Sequence, residues 1–218
     1  VVTRPRLLDL FCGQGGASHG YALAGFEVVG VDVKDQPRYP YEFHKADAMT
    51  YPLDGFEAYA ASPPCNDHSP LSHFVGAQGT AWMLTATIER LRATGRPYVV
   101  ENVEGADMPG ALTLCGTEFG LQTRRDGRLY ALKRHRQFVS NLFLMGAGGC
   151  TCGGLAPAMG VYGNGGGQFA GRGVKARVAE GAELLGVDWM NVKGQAQAIP
   201  PAYTRFIGEQ LLAHLAAR

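Results

Sequence analysis

The chain is short of net charge. Its 218 residues carry 20 Lys and Arg against 19 Asp and Glu, a net charge of +1. Bulk charge therefore points to no polyanionic partner. Long apolar runs are missing too. Nothing approaches the roughly 18 consecutive apolar residues of a membrane-spanning helix. No signal peptide is visible, because Val1-Val2-Thr3-Arg4-Pro5-Arg6 leads straight into a strand pattern. Cysteine is scarce and odd in number, at positions 12, 65, 115, 150 and 152. That excludes a disulfide framework and favours a reducing, cytoplasmic setting. Internal repeats and long linkers are absent, so a single domain over residues 1–218 is expected. Glycine, in contrast, is abundant and uneven: 12 of the 31 residues from 145 to 175 are Gly. This Gly-rich insert cannot be a regular helix or a long strand interior.

Taken in order, residues 6–11 read as a short buried strand. Cys12-Gly13-Gln14-Gly15-Gly16 turns sharply, residues 17–24 form a helix, and Gly25 stops it. Residues 27–33 form a second strand with Asp32 near its end. Strand, Gly-rich turn, helix, strand and acid make a nucleotide-binding βαβ unit. Gly13 and Gly15 supply G-x-G, but Ser18 stands where a dinucleotide site has its third Gly. An adenosine ligand without a pyrophosphate, such as S-adenosylmethionine, fits better, with Asp32 on the ribose hydroxyls. Residues 43–47 read as an edge strand ending near Asp47. Residues 56–61 form a strand that runs into Pro63-Pro64-Cys65. Residues 78–93 are an amphipathic helix with Trp82, Met83, Ala86 and Leu91 on its core face. Residues 98–103 form a strand that ends in Glu101-Asn102. Alternation over 134–140 puts Arg134 and Arg136 on one side. A short helix over 180–185 and a last helix over 202–217, entered through Pro201, complete the chain. The fold expected is a doubly wound, mostly parallel α/β sheet.

Two prolines stiffen the chain before Cys65 and fix the place and angle of its thiol. Alone, that thiol reads as a small buried hydrophobe. Asp32, Cys65 and Glu101, however, all fall at carboxyl ends of parallel strands, the edge where open α/β sheets hold ligands. Arg124, Arg125, Arg128, Lys133, Arg134 and Arg136 form a basic cluster compatible with phosphate contacts, followed by Arg172, Lys175 and Arg177. A solvated surface strip is the competing explanation. Cys12 and Cys115 read as packing cysteines. Cys150-x-Cys152 could be half of a metal site, but no second local pair accompanies it; His135 or His44 could be distant partners, and no metal is assigned. His19 and His73 read as surface or helix histidines. Trp189 reads as an anchor for the Gly-rich segment.

On these residues the chain resembles the cytosine-5 DNA methyltransferase family, in particular its small, phage-like members. Asp9-Leu10-Phe11-Cys12-Gly13-Gln14-Gly15-Gly16 resembles the cofactor motif, Pro63-Pro64-Cys65 the nucleophile motif, with Ser69 beyond it, and Glu101-Asn102-Val103 the Glu-Asn-Val motif. Arg134-x-Arg136 resembles the paired arginines near the target base. Ala198-Ile199-Pro200-Pro201 resembles the closing motif that packs beside the first. The resemblance implies a Rossmann-like fold of the S-adenosylmethionine-dependent methyltransferase type. It implies a cofactor held by Asp9, Phe11, Gly13, Gly15, Gly16, Asp32, Val33, Asp47 and Pro64. The implied activity is methyl transfer to cytosine C5 in DNA, with Cys65, Glu101, Asn102, Arg134 and Arg136 catalytic. It also implies a monomer without membrane attachment in a bacterial or phage-infected cytoplasm. Leu132, Gln197 and Asn66-Asp67-His68 depart from the family pattern. Only 62 residues separate Arg136 from Ile199, which leaves the Gly-rich insert as the candidate recognition element. The same chemistry on RNA or with a modified cofactor, and a non-catalytic cofactor- and nucleic-acid-binding protein, remain alternatives.

Overall fold

The computed structural model describes residues 4–64, 81–154, 156–161 and 173–217. A seven-stranded sheet organises them. It contains β1 (Arg6–Leu10), β2 (Glu27–Asp32), β3 (Glu42–Lys45), β4 (Ala58–Ala61), β5 (Tyr98–Asn102), β6 (Leu112–Cys115) and β9 (His135–Ser140). Their order is β3-β2-β1-β4-β5-β9-β6. The first five run parallel. β9 enters antiparallel between β5 and β6. This is the doubly wound, mostly parallel sheet that the strand and helix patterns predict.

Alternation along each strand feeds two cores. Leu7, Val28, Ala58, Ala60 and Val99 face one side, where α1 (Gly16–Ala24) and α5 (Pro201–Ala216) cover them with Tyr21, Tyr203 and Ile207. Leu8, Leu10, Val29, Val31 and Tyr98 face the other, against Leu84 and Leu91 of α2 (Ala81–Arg92). On α2 the buried positions are Leu84, Thr87 and Leu91. Trp82, expected in that core, is 60% exposed. The helix stripe runs i, i+3, i+7 from Leu84, and Trp82 lies off it.

A second sheet was not foreseen. It has the order β11-β10-β8-β7, from β7 (Gln122–Arg125), β8 (Arg128–Ala131), β10 (Ala158–Gly160) and β11 (Gly173–Lys175). β7 and β8 form a hairpin closed by Asp126 and Gly127, both at positive φ (51° and 75°). Asp-Gly is the dipeptide that such a two-residue turn requires, so the signal was present in the sequence. Tyr130, Leu132, Met159 and Val161 pack there against Leu184, Leu185 and Val187, from or just after α3 (Val178–Leu185). α4 (Val192–Gln197), capped by Asn191, follows. Arg125 pairs in bidentate fashion with Glu180 of α3. That contact holds the Glu180 carboxyl down to about 2. Among the described residues, no helix is long and apolar enough to cross a membrane.

α1 and α5 approach closely because glycine faces the contact. A Cβ on Gly20 would stand 2.0 Å from Thr204 Oγ1 and 2.2 Å from the Pro201 carbonyl oxygen. Thr204 Oγ1 donates to the Ala17 carbonyl at 2.9 Å across the same seam. Gly20→Ala must push the helices apart. It is expected to lower unfolding stability by about 1–3 kcal/mol, measured as a lower urea midpoint at unchanged slope.

Candidate active site at the carboxyl edge of the sheet

Because β2, β1, β4 and β5 are parallel neighbours, their carboxyl ends open on one edge. β5 brings Glu101 and Asn102 there, both buried. A carboxyl group in that position needs a partner. Arg136 Nε, from antiparallel β9, donates to Glu101 Oε1 at 2.9 Å. Burial raises the Glu101 pKa above its ordinary value, while Arg136, Arg134 and the Ser62 hydroxyl oppose the shift. Asn102 Nδ2 donates to the Pro63 carbonyl at 3.2 Å, and its Oδ1 accepts from the Val103 amide at 2.9 Å. Asn102 thus fastens the end of β5 to the Pro63-Pro64 run. Cys65 and Ser69 lie outside the described residues, as do His73 and Arg172.

Arg134 does not share the role of Arg136. It precedes β9 and is buried. Its Nη1 donates to the Val161 carbonyl at 3.1 Å and its Nη2 to the Ala196 carbonyl at 2.5 Å. The expectation that both arginines face one way holds for an unbroken strand. Here β9 starts at His135, so alternation does not extend back to Arg134. That guanidinium ties the second sheet to the segment before α5 and reaches Glu101 through its field.

The Gly-rich turn stands at the end of β1. Phe11 has φ 60°, a strained value for a bulky residue, and is half-buried. Gly13 at φ 51° and Gly15 at φ 86° complete the bend. A Cβ on Gly13 would meet nothing within 4 Å, whereas one on Gly16 would strike the Ile199 carbonyl oxygen at 2.7 Å. Asp32 Oδ2 accepts from the Gly13 amide at 3.0 Å and Oδ1 from the Lys34 amide at 2.8 Å. Val33 beside it is 65% exposed although apolar. Asp47 is exposed and accepts from the Met49 amide. A hydrogen bond thus joins Gly13 to Asp32, and the exposed Val33 next to it sets uncovered apolar surface beside a carboxylate. Pro64, the last described residue before Cys65, is half-buried.

No protein-family model matches the chain. A type II methylase of Herpetosiphon aurantiacus is 32% identical over 115 residues, a stretch covering 44% of this chain and 32% of that protein. The chain thus matches about a third of the length of that relative. Among solved structures, the Dnmt2 methyltransferase of S. pombe superposes with a TM-score of 0.63 at 12% identity, covering 98% of this chain and 99% of that one. The Entamoeba histolytica methyltransferase EhMeth gives a TM-score of 0.66 at 8% identity over 98% and 99% of the two chains. The fold is that of a Rossmann-like methyltransferase.

Within that fold, Asp9, expected among the cofactor-binding residues, lies inside the protein. It is fully buried in β1. Its Oδ2 accepts from the Ser18 hydroxyl at 2.5 Å, and Ser18 Oγ accepts from Tyr39 at 2.8 Å. Ser18, which replaces the third glycine, anchors α1 to β1. Trp189 makes contacts beyond the expected anchoring of the Gly-rich segment. Its Nε1 donates to the Gln14 carbonyl at 2.8 Å, and its ring meets His19 edge-on at 4.9 Å. Gln14 and Asn191 exchange side-chain bonds as well. Trp189 therefore latches the segment between α3 and α4 onto the Gly-rich turn, and it also packs against the cluster that holds Met159 and Val161 of the Gly-rich segment. Sequence reading missed Gln14, Ser18 and Tyr39, whose partners are distant in the chain.

Burial pushes Asp9 from 3.8 up to about 7, with Asp32 and Glu101 adding repulsion and Ser18 opposing it. A raised folded pKa means that the protonated carboxyl is the favoured guest. Its contribution to stability is complete below about pH 4 and is lost as pH rises through about 7. Asp9→Asn removes this titration. Relative to the native chain, its melting midpoint is expected to rise across that window and then level off.

Proposed function

We propose that the chain transfers a methyl group from S-adenosylmethionine to C5 of cytosine in DNA, with Cys65 as the nucleophile. The tie between Asn102 and Pro63 carries the reading. It fastens the strand end that presents Glu101 to the run that reaches Cys65 two residues later. The Glu101–Arg136 pair supports it, because an acid raised by burial is suited to hold a base edge through a proton.

The cofactor supplies a methyl group on an electrophilic sulfonium. Phe11, Val33 and Pro64 would offer it apolar surface, Asp32 would hold the ribose hydroxyls, and Asp47 would hold the adenine. Gly13, Gly15 and Gly16 leave the backbone free to approach. The fit rests on the open space at Gly13 and the uncovered Val33. Cytosine C5 is a poor nucleophile. Addition of the Cys65 thiolate to C6 forms an S–C6 bond and makes C5 enamine-like. Glu101 protonates or hydrogen-bonds N3 as this charge develops, Arg136 orients Glu101, and Asn102 keeps the loop in place. C5 takes the methyl group, the C5 proton leaves to solvent, and the S–C6 bond breaks to return Cys65. A base inside a duplex must be flipped out first, at a cost of a few kcal/mol.

DNA would lie against the second sheet. Most of the basic cluster is engaged elsewhere: Arg125 with Glu180, Arg134 with carbonyls, Arg136 with Glu101, and Lys133 with the Cys152 carbonyl. Arg124 and Arg128, at the exposed end of the β7–β8 hairpin, face solvent and are the phosphate contacts of this reading.

Labelled cofactor offered with duplex DNA, single-stranded DNA or RNA, followed by nucleoside mass spectrometry, should yield 5-methylcytosine in DNA. Label in RNA alone, or in no nucleic acid, sinks the assignment. Cys65→Ala should abolish transfer and leave cofactor affinity intact by calorimetry, and Glu101→Gln should lower kcat by roughly 10²- to 10⁴-fold. Joint Arg124→Ala and Arg128→Ala replacement should weaken duplex binding. It should also flatten the slope of log K against log salt by about 0.9 for each lost contact.

A further inference from the structure

Four soft ligands converge away from the carboxyl edge. Cys115 ends β6 and His135 begins β9, and the two are direct partners across the antiparallel ladder. Cys150 and Cys152 reach them from the loop before β10. The four ligand atoms all lie within 4.8 Å of one another. Cys115 Sγ is 3.2 Å from Cys152 Sγ. His135 Nε2 is 3.3 Å from Cys150 Sγ and 3.5 Å from Cys152 Sγ. Around a tetrahedral zinc, with Zn–S of about 2.3 Å and Zn–N of about 2.0 Å, such edges measure about 3.5–3.8 Å. The observed set needs only small side-chain adjustments to match.

We infer that Cys115, His135, Cys150 and Cys152 form a structural zinc site. Three sulfurs and one imidazole are the donor set of zinc, not of the oxygen-seeking magnesium or calcium. Four protein ligands close the coordination sphere, so the ion holds structure and does not activate water. The surroundings fit a metal site. The Glu104 carboxylate lies 3.4 Å from His135 Nδ1, which turns Nε2 toward the sulfurs. Thr117 Oγ1 donates to Cys115 Sγ at 3.4 Å and to Cys150 Sγ at 3.7 Å. The Cys152 amide donates to Cys150 Sγ at 3.3 Å. Lys133 Nζ donates to the Cys152 carbonyl at 2.6 Å and brings positive charge to a site whose three thiolates outweigh the ion.

The expectation of packing for Cys115 and of no metal rested on local spacing. Cys150-x-Cys152 is tighter than the usual zinc pair, and its partners stand on two separate strands. The site clamps the loop before β10 to β6 and β9, one residue from Arg136. It therefore sets where the second sheet departs from the first. A small sheet with a limited apolar core is the setting in which a metal staple adds most.

Protein purified under reductant should contain one zinc per chain by elemental mass spectrometry. Cobalt in its place should give a thiolate charge-transfer band and the d–d absorption of tetrahedral sites. Chelation should lower the melting midpoint, and zinc should restore it. Joint Cys150→Ala and Cys152→Ala replacement should lose the ion, while Cys12→Ala keeps it. His135→Cys should retain the ion with a stronger charge-transfer band, a result that misfolding would not mimic. The inference is overturned by reduced protein that holds no zinc and shows no cobalt–thiolate band. It is equally overturned by a Cys115–Cys152 disulfide persisting under reductant, or by full zinc content in the Cys150/Cys152 double variant.

Discussion

The near-contact of α1 and α5 is the constraint on which the rest of the molecule depends. Gly20 has no room for a side chain beside Thr204 and the Pro201 carbonyl, so the two helices lie backbone to backbone. That seam brings residues near 200 to the Gly-rich turn, where Gly16 abuts the Ile199 carbonyl. α5 then places Tyr203, whose hydroxyl donates to the Arg134 carbonyl at 2.6 Å. One close approach thus shapes the turn after β1 and steadies the start of β9. Loosening it would disturb the Gly-rich turn and the start of β9 together.

Electrostatics at the carboxyl edge follow from burial. Asp9 and Glu101 are both raised because water is excluded around them, and their mutual repulsion adds to the effect on Asp9. Arg136 offsets part of the cost at Glu101. Inside β1, Asp9 holds Ser18 through Oδ2, which seats α1, while its Oδ1 has no hydrogen-bond partner among the described residues.

The second sheet decides what the basic residues do. Arg125, Lys133 and Arg134 bind acids or carbonyls inside the protein, while Arg124, which donates to the Gly127 carbonyl, and Arg128, which lies over the Tyr130 ring, stay exposed. The cysteine and histidine cluster lies where this sheet joins the first. The second sheet and β9, which carries Arg136, therefore share one mechanical support.

Strand alternation, the Gly-rich turn, the proline pairs and the Asp-Gly hairpin signal are local physics. By themselves they determined the doubly wound sheet, the strand-end places of Asp32 and Glu101, and the resemblance on which the nucleophile reading rests. The hairpin was legible but passed over. Trp82 was misplaced because a two-residue offset on a helix moves a side chain off the buried stripe. Three outcomes needed the tertiary structure. Arg134 took the Val161 and Ala196 carbonyls as partners, Asp9 took Ser18, and Cys115 and His135 met Cys150 and Cys152. Each depends on which partner reaches a side chain through space. A strand start at His135, a helix packed over Asp9 and an antiparallel ladder joining Cys115 to His135 set those partners. None of the three leaves a spacing in the sequence from which it could be read.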